Sequence, residues 1–213
     1  MFTTPRLRLA GLALVMISAA TPAFAGPPLI CHPFETRAGT LLPWDGARSN
    51  TNWNAPLGSY QLASLTTDVV KLLDGDGPVI TRMENMRRAT IYASKDPAIA
   101  RQLLEAVLAR AKSADTAGTQ ALFDAGYLIE SYRQAEAIRE RRGTDWSAVD
   151  AMTRTGGYGF VQKAIAMAKG PNAEMEFAAS LMTQGATAAD HRAHAAAAAV
   201  SGSALAANLA KYQ

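Results

Sequence analysis

The chain has 213 residues, of which 49% are hydrophobic and 18% are charged, and its formal net charge is +3. This length suits one domain that buries its own core, and a single cysteine excludes an internal disulfide. The balance of 21 basic and 18 acidic residues excludes a typical nucleic-acid-binding protein, which needs clustered cations to neutralise phosphates.

The first 25 residues have the order of a secretory signal peptide. Arg6 and Arg8 precede an apolar run over residues 9–20, and Ala23-Phe24-Ala25 forms a small-x-small cleavage site. The apolar run is shorter than the roughly 20 residues that a membrane-spanning helix needs. We expect cleavage after Ala25, which gives a secreted or periplasmic protein with no membrane span and with 19 basic residues against 18 acidic ones.

The next segment, residues 26–60, is rich in proline and in aromatic residues. Proline disfavours regular helix, whereas a disordered linker would be poor in aromatic rings. We therefore expect an extended strap whose rings dock on the rest of the protein. The residues concerned are Pro27, Pro28, Pro33, Pro43 and Pro56, with Phe34, Trp44, Trp53 and Tyr60.

A candidate metal or redox site lies in this strap, in the stretch GPPLICHPF. Cys31 and His32 offer a thiol and an imidazole, both of which bind copper and zinc. His191 and His194 are three residues apart on a predicted helix, so they share a face and could complete a four-ligand site. The alternative is structural: Cys31 is a small buried residue, His32 bonds a backbone group, and the other two histidines occupy a solvated turn. No motif in the sequence requires a cofactor.

From residue 61 to residue 213, apolar spacing near 3.6 predicts helices throughout. No stretch alternates like a strand for more than four residues, so the fold class is all-α. We expect about seven helices, built as stacked antiparallel hairpins, with a short turn or helix at residues 145–154 in addition. Asp96 and Pro97 mark one helix start, since aspartate caps the free amides and proline is tolerated in the first turn. The alanine-rich end, residues 189–213, is predicted as one closing helix.

A weak internal repeat has a spacing of 74 residues. Residues 89–108 align with residues 163–182, and the alignment keeps the apolar face of both segments. A genuine repeat would be a multiple of helical hairpins of about 37 residues, which stack side by side. The alternative is that a shared alanine bias produces the match.

Two stretches resemble tetratricopeptide repeats. AIAMAKGPNAEMEFAASLMTQG, residues 164–185, resembles the junction between two such units, and LFDAGYLIESY, residues 122–132, is similar to the first helix of one. Separately, GPPLICHPF followed by a helical chain with MEFAASLMT resembles an uncharacterised family of bacterial exported proteins. The first resemblance implies stacked helices that bind a partner, and the second implies no activity.

The usual enzyme motifs are missing. There is no Gly-x-Ser-x-Gly elbow, and Gly156-Gly157-Tyr158-Gly159 lacks the lysine of a phosphate-binding loop. We therefore predict an exported protein that acts in protein–protein binding or scaffolding rather than as an enzyme, with a protein or peptide as partner. The alternative is a small metal-binding or thiol-redox protein that uses Cys31 and His32. A peptide groove is one interpretation of a polar helix face, and a solvated ion-paired face is the other; its candidate residues are Arg87, Tyr127, Glu130 and Arg133.

Overall fold

The computed structural model describes residues 28–45, 55–113, 118–138, 141–184, 188–199 and 205–212. Within these ranges the chain forms nine α-helices and no strand, which confirms the all-α fold class. None of the helices in this part of the chain is both long and apolar enough to cross a membrane. The predicted signal peptide, together with Pro27 and Trp53 of the predicted strap, lies outside the described residues.

The helices follow one another through the described part of the chain after a short 3-10 turn at Leu62–Ser64. They are α1 (Leu65–Leu73), α2 (Val79–Ala93), α3 (Pro97–Lys112), α4 (Thr119–Ala137), α5 (Ser147–Thr153), α6 (Tyr158–Met167), α7 (Ala173–Thr183), α8 (Ala188–Ala199) and α9 (Ala206–Tyr212).

Local signals explain several helix starts. The Asp96 carboxylate accepts a hydrogen bond from the amide of Ala98 at 2.8 Å, which caps α3 as predicted. Asn172 caps α7 in the same way. The expected number of about seven helices was too low for two reasons. Residues 145–154 contain a complete helix, α5, and the alanine-rich end holds two helices, α8 and α9, of which α9 buries a face of its own.

The centre of the fold is formed by α2 and α4. Helix α2 packs against α1, α3, α4 and α7, and α4 packs against α2, α3, α5, α6 and α7. Every residue of α2 except Arg88 is buried, although the helix is polar in sequence. A helix that is buried on all sides is normally apolar, so α2 needs partners for its polar groups.

Residues 28–45, named here the N-terminal segment, have neither helix nor strand structure. Leu29, Ile30, Phe34 and Leu42 are nevertheless buried in the same hydrophobic core as the helices. The segment covers the polar side of α2 and is therefore part of the folded domain.

The crossing of α4 and α6 is unusually close. A methyl group added at Gly157 would overlap the carbonyl oxygen of Gly126, which is main chain and has no rotamer to change. Glu130 also accepts a hydrogen bond from the amide of Gly157 at 2.6 Å, which fixes the start of α6 on α4. Only glycine allows this approach.

We expect Gly157→Ala to lower the free energy of unfolding by about 3 kcal/mol, because the added methyl group forces the two helices apart. Gly159→Ala is the matched control, since a methyl group there meets open space and alanine favours helix. Urea unfolding followed by circular dichroism measures both. Equal stability of the two variants would contradict the close crossing.

Candidate functional site

The candidate site is built on a row of polar side chains along α2, all of them buried except the partly exposed Arg88. Thr81, Glu84, Asn85, Arg88 and Tyr92 recur at helical spacing and share one face of the helix. Burying such groups costs free energy unless each one finds a hydrogen-bonding partner. Their partners are found mainly in the main chain of the N-terminal segment.

Asn85 makes the most complete of these contacts. Its side-chain oxygen accepts from the amide of Leu42 at 2.8 Å, and its side-chain nitrogen donates to the carbonyl of Thr40 at 3.0 Å. Arg88 donates to the carbonyl of Leu42 at 2.6 Å. One amide side chain and one guanidinium thus replace the hydrogen bonds that a neighbouring strand would supply in a sheet.

The two ends of the row extend the same pattern. The Thr81 hydroxyl donates to the carbonyl of Ala38 at 2.6 Å. The Tyr92 hydroxyl donates to the carbonyl of Pro43 at 2.8 Å and accepts from the amide of Leu57 at 2.9 Å. The contacts therefore run from Ala38 to Pro43 and onward to the chain that precedes α1.

A buried ion cluster lies at the middle of the row. Glu84 accepts from Arg87 at 2.8 and 2.9 Å, from Arg88 at 2.7 Å and from the amide of Phe34 at 3.0 Å. Burial alone would raise the pKa of Glu84, but the hydrogen bonds and charges of Arg87 and Arg88 outweigh burial and hold the pKa below its usual value. The carboxylate therefore stays charged and accepts from the segment.

Helix α9 also contacts the N-terminal segment. Asn208 accepts from the amide of Glu35 and donates to its carbonyl, both at 2.9 Å. The Tyr212 hydroxyl donates to the carbonyl of His32 at 2.8 Å. In an extended chain successive amides point in opposite directions, and here the amide of Phe34 meets Glu84 of α2 while the amide of Glu35 meets α9. Helix α9 is therefore attached both to the segment and, through the contact of Tyr212 with Phe177, to α7.

Helix α4 supplies two further contacts, both at Leu29. The Gln134 side chain accepts from its amide at 2.8 Å, and the Tyr127 hydroxyl donates to its carbonyl at 3.2 Å. We name the set of side chains that bind the segment's main chain the main-chain clamp. It comprises Thr81, Glu84, Asn85, Arg87, Arg88, Tyr92, Tyr127, Gln134, Asn208, Lys211 and Tyr212, of which Arg87 donates to the carbonyl of Ile30 and Lys211 to the carbonyl of Pro33.

The predicted groove residues divide into two pairs. Arg87 and Tyr127 are 0% exposed beneath the N-terminal segment, so neither lines an open groove while the segment is in place. Glu130 of α4 is buried where α4 meets the start of α6. Arg133 is half exposed, and its guanidinium lies 3.0 Å from the Glu130 carboxylate. Asn85, Gln134 and Asn208 were not among the predicted site residues. A polar helix that follows a segment rich in proline and aromatic residues is the signal that could have found Asn85.

The predicted metal ligands have other partners. His191 donates to the carbonyl of Ser180 at 2.8 Å, while His194 donates to Glu176 at 2.5 Å and bonds the Tyr158 hydroxyl at 2.7 Å. Among the described residues, no group of three or more His, Cys, Asp or Glu side chains could hold a metal ion. The metal-binding and thiol-redox functions stay predictions of the sequence.

Cys31 and His32 lie where the N-terminal segment meets the helices. The Cys31 thiol is buried, with 4% of the residue exposed. The His32 ring lies edge-on to Tyr212 at 6.1 Å between centroids. Burial, with the nearby charges of Lys211 and Arg87, lowers the pKa of His32, so the ring is neutral at pH 7.

Comparison of the chain with protein-family models, with curated proteins and with solved structures finds no match. The resemblances to tetratricopeptide repeats and to an exported family therefore stay expectations. The geometry of the main-chain clamp is therefore the basis of the proposed function.

We expect Glu84→Gln to lower the free energy of unfolding by about 3 kcal/mol near pH 7, because it leaves the buried Arg87 and the partly buried Arg88 without their carboxylate. The pKa of Glu84 is lower in the folded chain than in the unfolded one, so its contribution is complete above the unfolded pKa and is lost as pH falls through the folded one. The difference between the two proteins should therefore shrink at acid pH. Urea unfolding from about pH 7 to about pH 3 measures it.

Glu105→Gln is the matched control for Glu84→Gln. Glu105 pairs with Arg101 one helical turn away, but both side chains are more than half exposed. We expect a change of about 0.5 kcal/mol or less. A similar loss in both variants, or a loss at Glu84 that does not depend on pH, would contradict the buried ion cluster.

The Cys31 thiol reports on detachment of the N-terminal segment. We expect native protein to react slowly with a thiol reagent, and Asn85→Ala to react about tenfold faster, because losing a buried hydrogen-bonding group favours local opening. Asn172→Ala removes the cap of α7 and is the control. Its reaction rate should stay close to that of the unsubstituted protein, and equal acceleration by both variants would show that Cys31 responds to global unfolding.

Proposed function

We propose that the protein is an exported binding protein whose helices hold an extended polypeptide by its main chain. One observation carries the proposal: Asn85 of α2 and Asn208 of α9 each bind both an amide and a carbonyl of the N-terminal segment, which is neither helix nor strand. Side chains that contact peptide groups do not depend on the side chains of the bound polypeptide. A clamp of this kind suits polypeptides that share a main-chain conformation rather than a full sequence.

The energetics of the ion cluster support this proposal. Glu84 and Arg87 are fully buried, and replacing a buried ion pair by well-packed apolar residues is often neutral or stabilising. Stability alone therefore gives little reason to place charges here. The Glu84 carboxylate accepts a hydrogen bond from the amide of Phe34, which no apolar residue can do. This contact gives a reason for a buried charge.

The arrangement of the helices is consistent with the same proposal. Helices that follow each other in the chain pack together, as α1 does with α2, α6 with α7 and α7 with α8. These pairs support stacked antiparallel hairpins over residues 61–213, with the N-terminal segment as the strap. Stacked hairpins bind extended partners on one face, which is also what the resemblance to tetratricopeptide repeats implies.

Export is the remaining part of the proposal. It rests on the order of residues 1–25, in which basic residues, an apolar run and a small-x-small site follow one another. The proposed setting is therefore the periplasm or the outside of the cell, and the proposed partner is a polypeptide there.

Recognition of the main chain can be tested with N-methylated peptides. The receptor is the full mature chain with Leu42→Ala, because the unsubstituted segment competes at an effective concentration on the order of millimolar. The ligand is a synthetic peptide of residues 28–45 with Cys31→Ser. We expect N-methylation at Leu42 to weaken binding about tenfold, because it removes the donor to Asn85.

N-methylation at Leu41 is the control for that experiment. In an extended chain adjacent amides point in opposite directions, and the Leu41 amide forms no hydrogen bond among the described residues. Binding of this peptide should match that of the unmodified one, as isothermal titration calorimetry will show. Equal weakening by both modifications, or no binding of any peptide to the folded receptor, would reject the proposal.

A further inference from the structure

We infer that the main-chain clamp selects an extended polypeptide that carries an aromatic residue at the place of Phe34. The inference rests on the proposed function and adds to it the chemical class of the partner. It depends on the ring contacts of Phe34 and on the main-chain contacts on either side of it.

The ring of Phe34 occupies an aromatic pocket formed by Phe177 of α7 and Tyr212 of α9. It stacks on Tyr212 with centroids 5.4 Å apart and planes at 16°, and it meets Phe177 edge to face at 6.1 Å and 89°. Phe177 and Tyr212 are themselves edge to face at 5.6 Å. Three rings in these geometries attract one another beyond the effect of burial alone.

The main chain around Phe34 is fixed in position by side chains from two helices. The amide of Phe34 donates to Glu84 of α2, and the amide and carbonyl of Glu35 bind Asn208 of α9. The carbonyl of His32 accepts from Tyr212. The side chain at position 34 therefore enters the pocket at a fixed point, whatever residue it belongs to.

The neighbouring position shows the contrast. Glu35 has the same main-chain anchoring, but its side chain faces solvent. Phe34 is 5% exposed and fills the space between α7 and α9. Recognition of a side chain is therefore expected at position 34 and not at position 35, since large aromatic residues in desolvated pockets dominate binding energies.

The partner has a defined chemistry on this basis. It is an extended polypeptide with one aromatic residue, and with an aliphatic residue eight positions further on where Leu42 is buried. Asn85 and Asn208 hold the main chain near these two side chains. The chain's own N-terminal segment is the example of this pattern that the structure contains, and a partner must displace it.

Binding of three labelled peptides to one receptor tests the inference. The receptor is the full mature chain with Phe34→Ala, whose own segment leaves the aromatic pocket empty. The probes are a fluorescein-labelled peptide of residues 28–45 with Cys31→Ser, the same peptide with Phe34→Ala, and the same peptide with Glu35→Ala as matched control. Fluorescence anisotropy gives the dissociation constants.

We expect the parent peptide to bind about tenfold more tightly than the Phe34→Ala peptide, and the Glu35→Ala peptide to match the parent. The parent peptide should also bind this receptor about tenfold more tightly than it binds the unsubstituted chain, where the intact segment competes. If circular dichroism shows that the Phe34→Ala receptor is unfolded, a Phe34→Leu receptor takes its place.

Two other results have different meanings. If all three peptides bind equally well, the ring is no anchor and this inference fails, whereas the proposed function stands. If no peptide binds a folded receptor of either kind, the proposed function fails and the inference fails with it.

Discussion

The structure depends on hydrogen bonds between helix side chains and the main chain of the N-terminal segment. A chain buried outside helix or sheet must still satisfy its amides and carbonyls. Here Glu84, Asn85 and Asn208 satisfy several of those groups. The requirement explains why α2 is polar yet buried, why α9 lies where it does, and why the Cys31 thiol is hidden from solvent.

Local features of the sequence were enough to predict part of this fold. The all-α class follows from apolar spacing, and Asp96 with Pro97 marks the start of α3, because both signals act within a few residues. The role of α2 could not be predicted in this way. Spacing shows that Glu84 and Asn85 share a face, but what covers that face comes from residues about 45 positions earlier in the chain. The same limit applies to Arg87 and Tyr127. They were predicted as groove residues, and in the structure they lie beneath the segment.

Helix α4 contacts both α6 and the N-terminal segment. Gly126 and Glu130 face α6 in a crossing where main chain meets main chain, so that contact has little freedom to change. Tyr127, which follows Gly126, and Gln134, one turn after Glu130, bind the main chain of Leu29 through their side chains. The same helix therefore fixes the position of Leu29 relative to the start of α6.

The bonds between Glu35 and Asn208 connect positions that are 173 residues apart. Contacts at such separation form late, because a long loop must close before they yield any free energy. During synthesis, the N-terminal segment therefore cannot bind Asn208 until α9 has been made. Until then the carbonyl and amide of Glu35 remain hydrated, and chaperones or proteases can reach this stretch more readily than any part of the finished core.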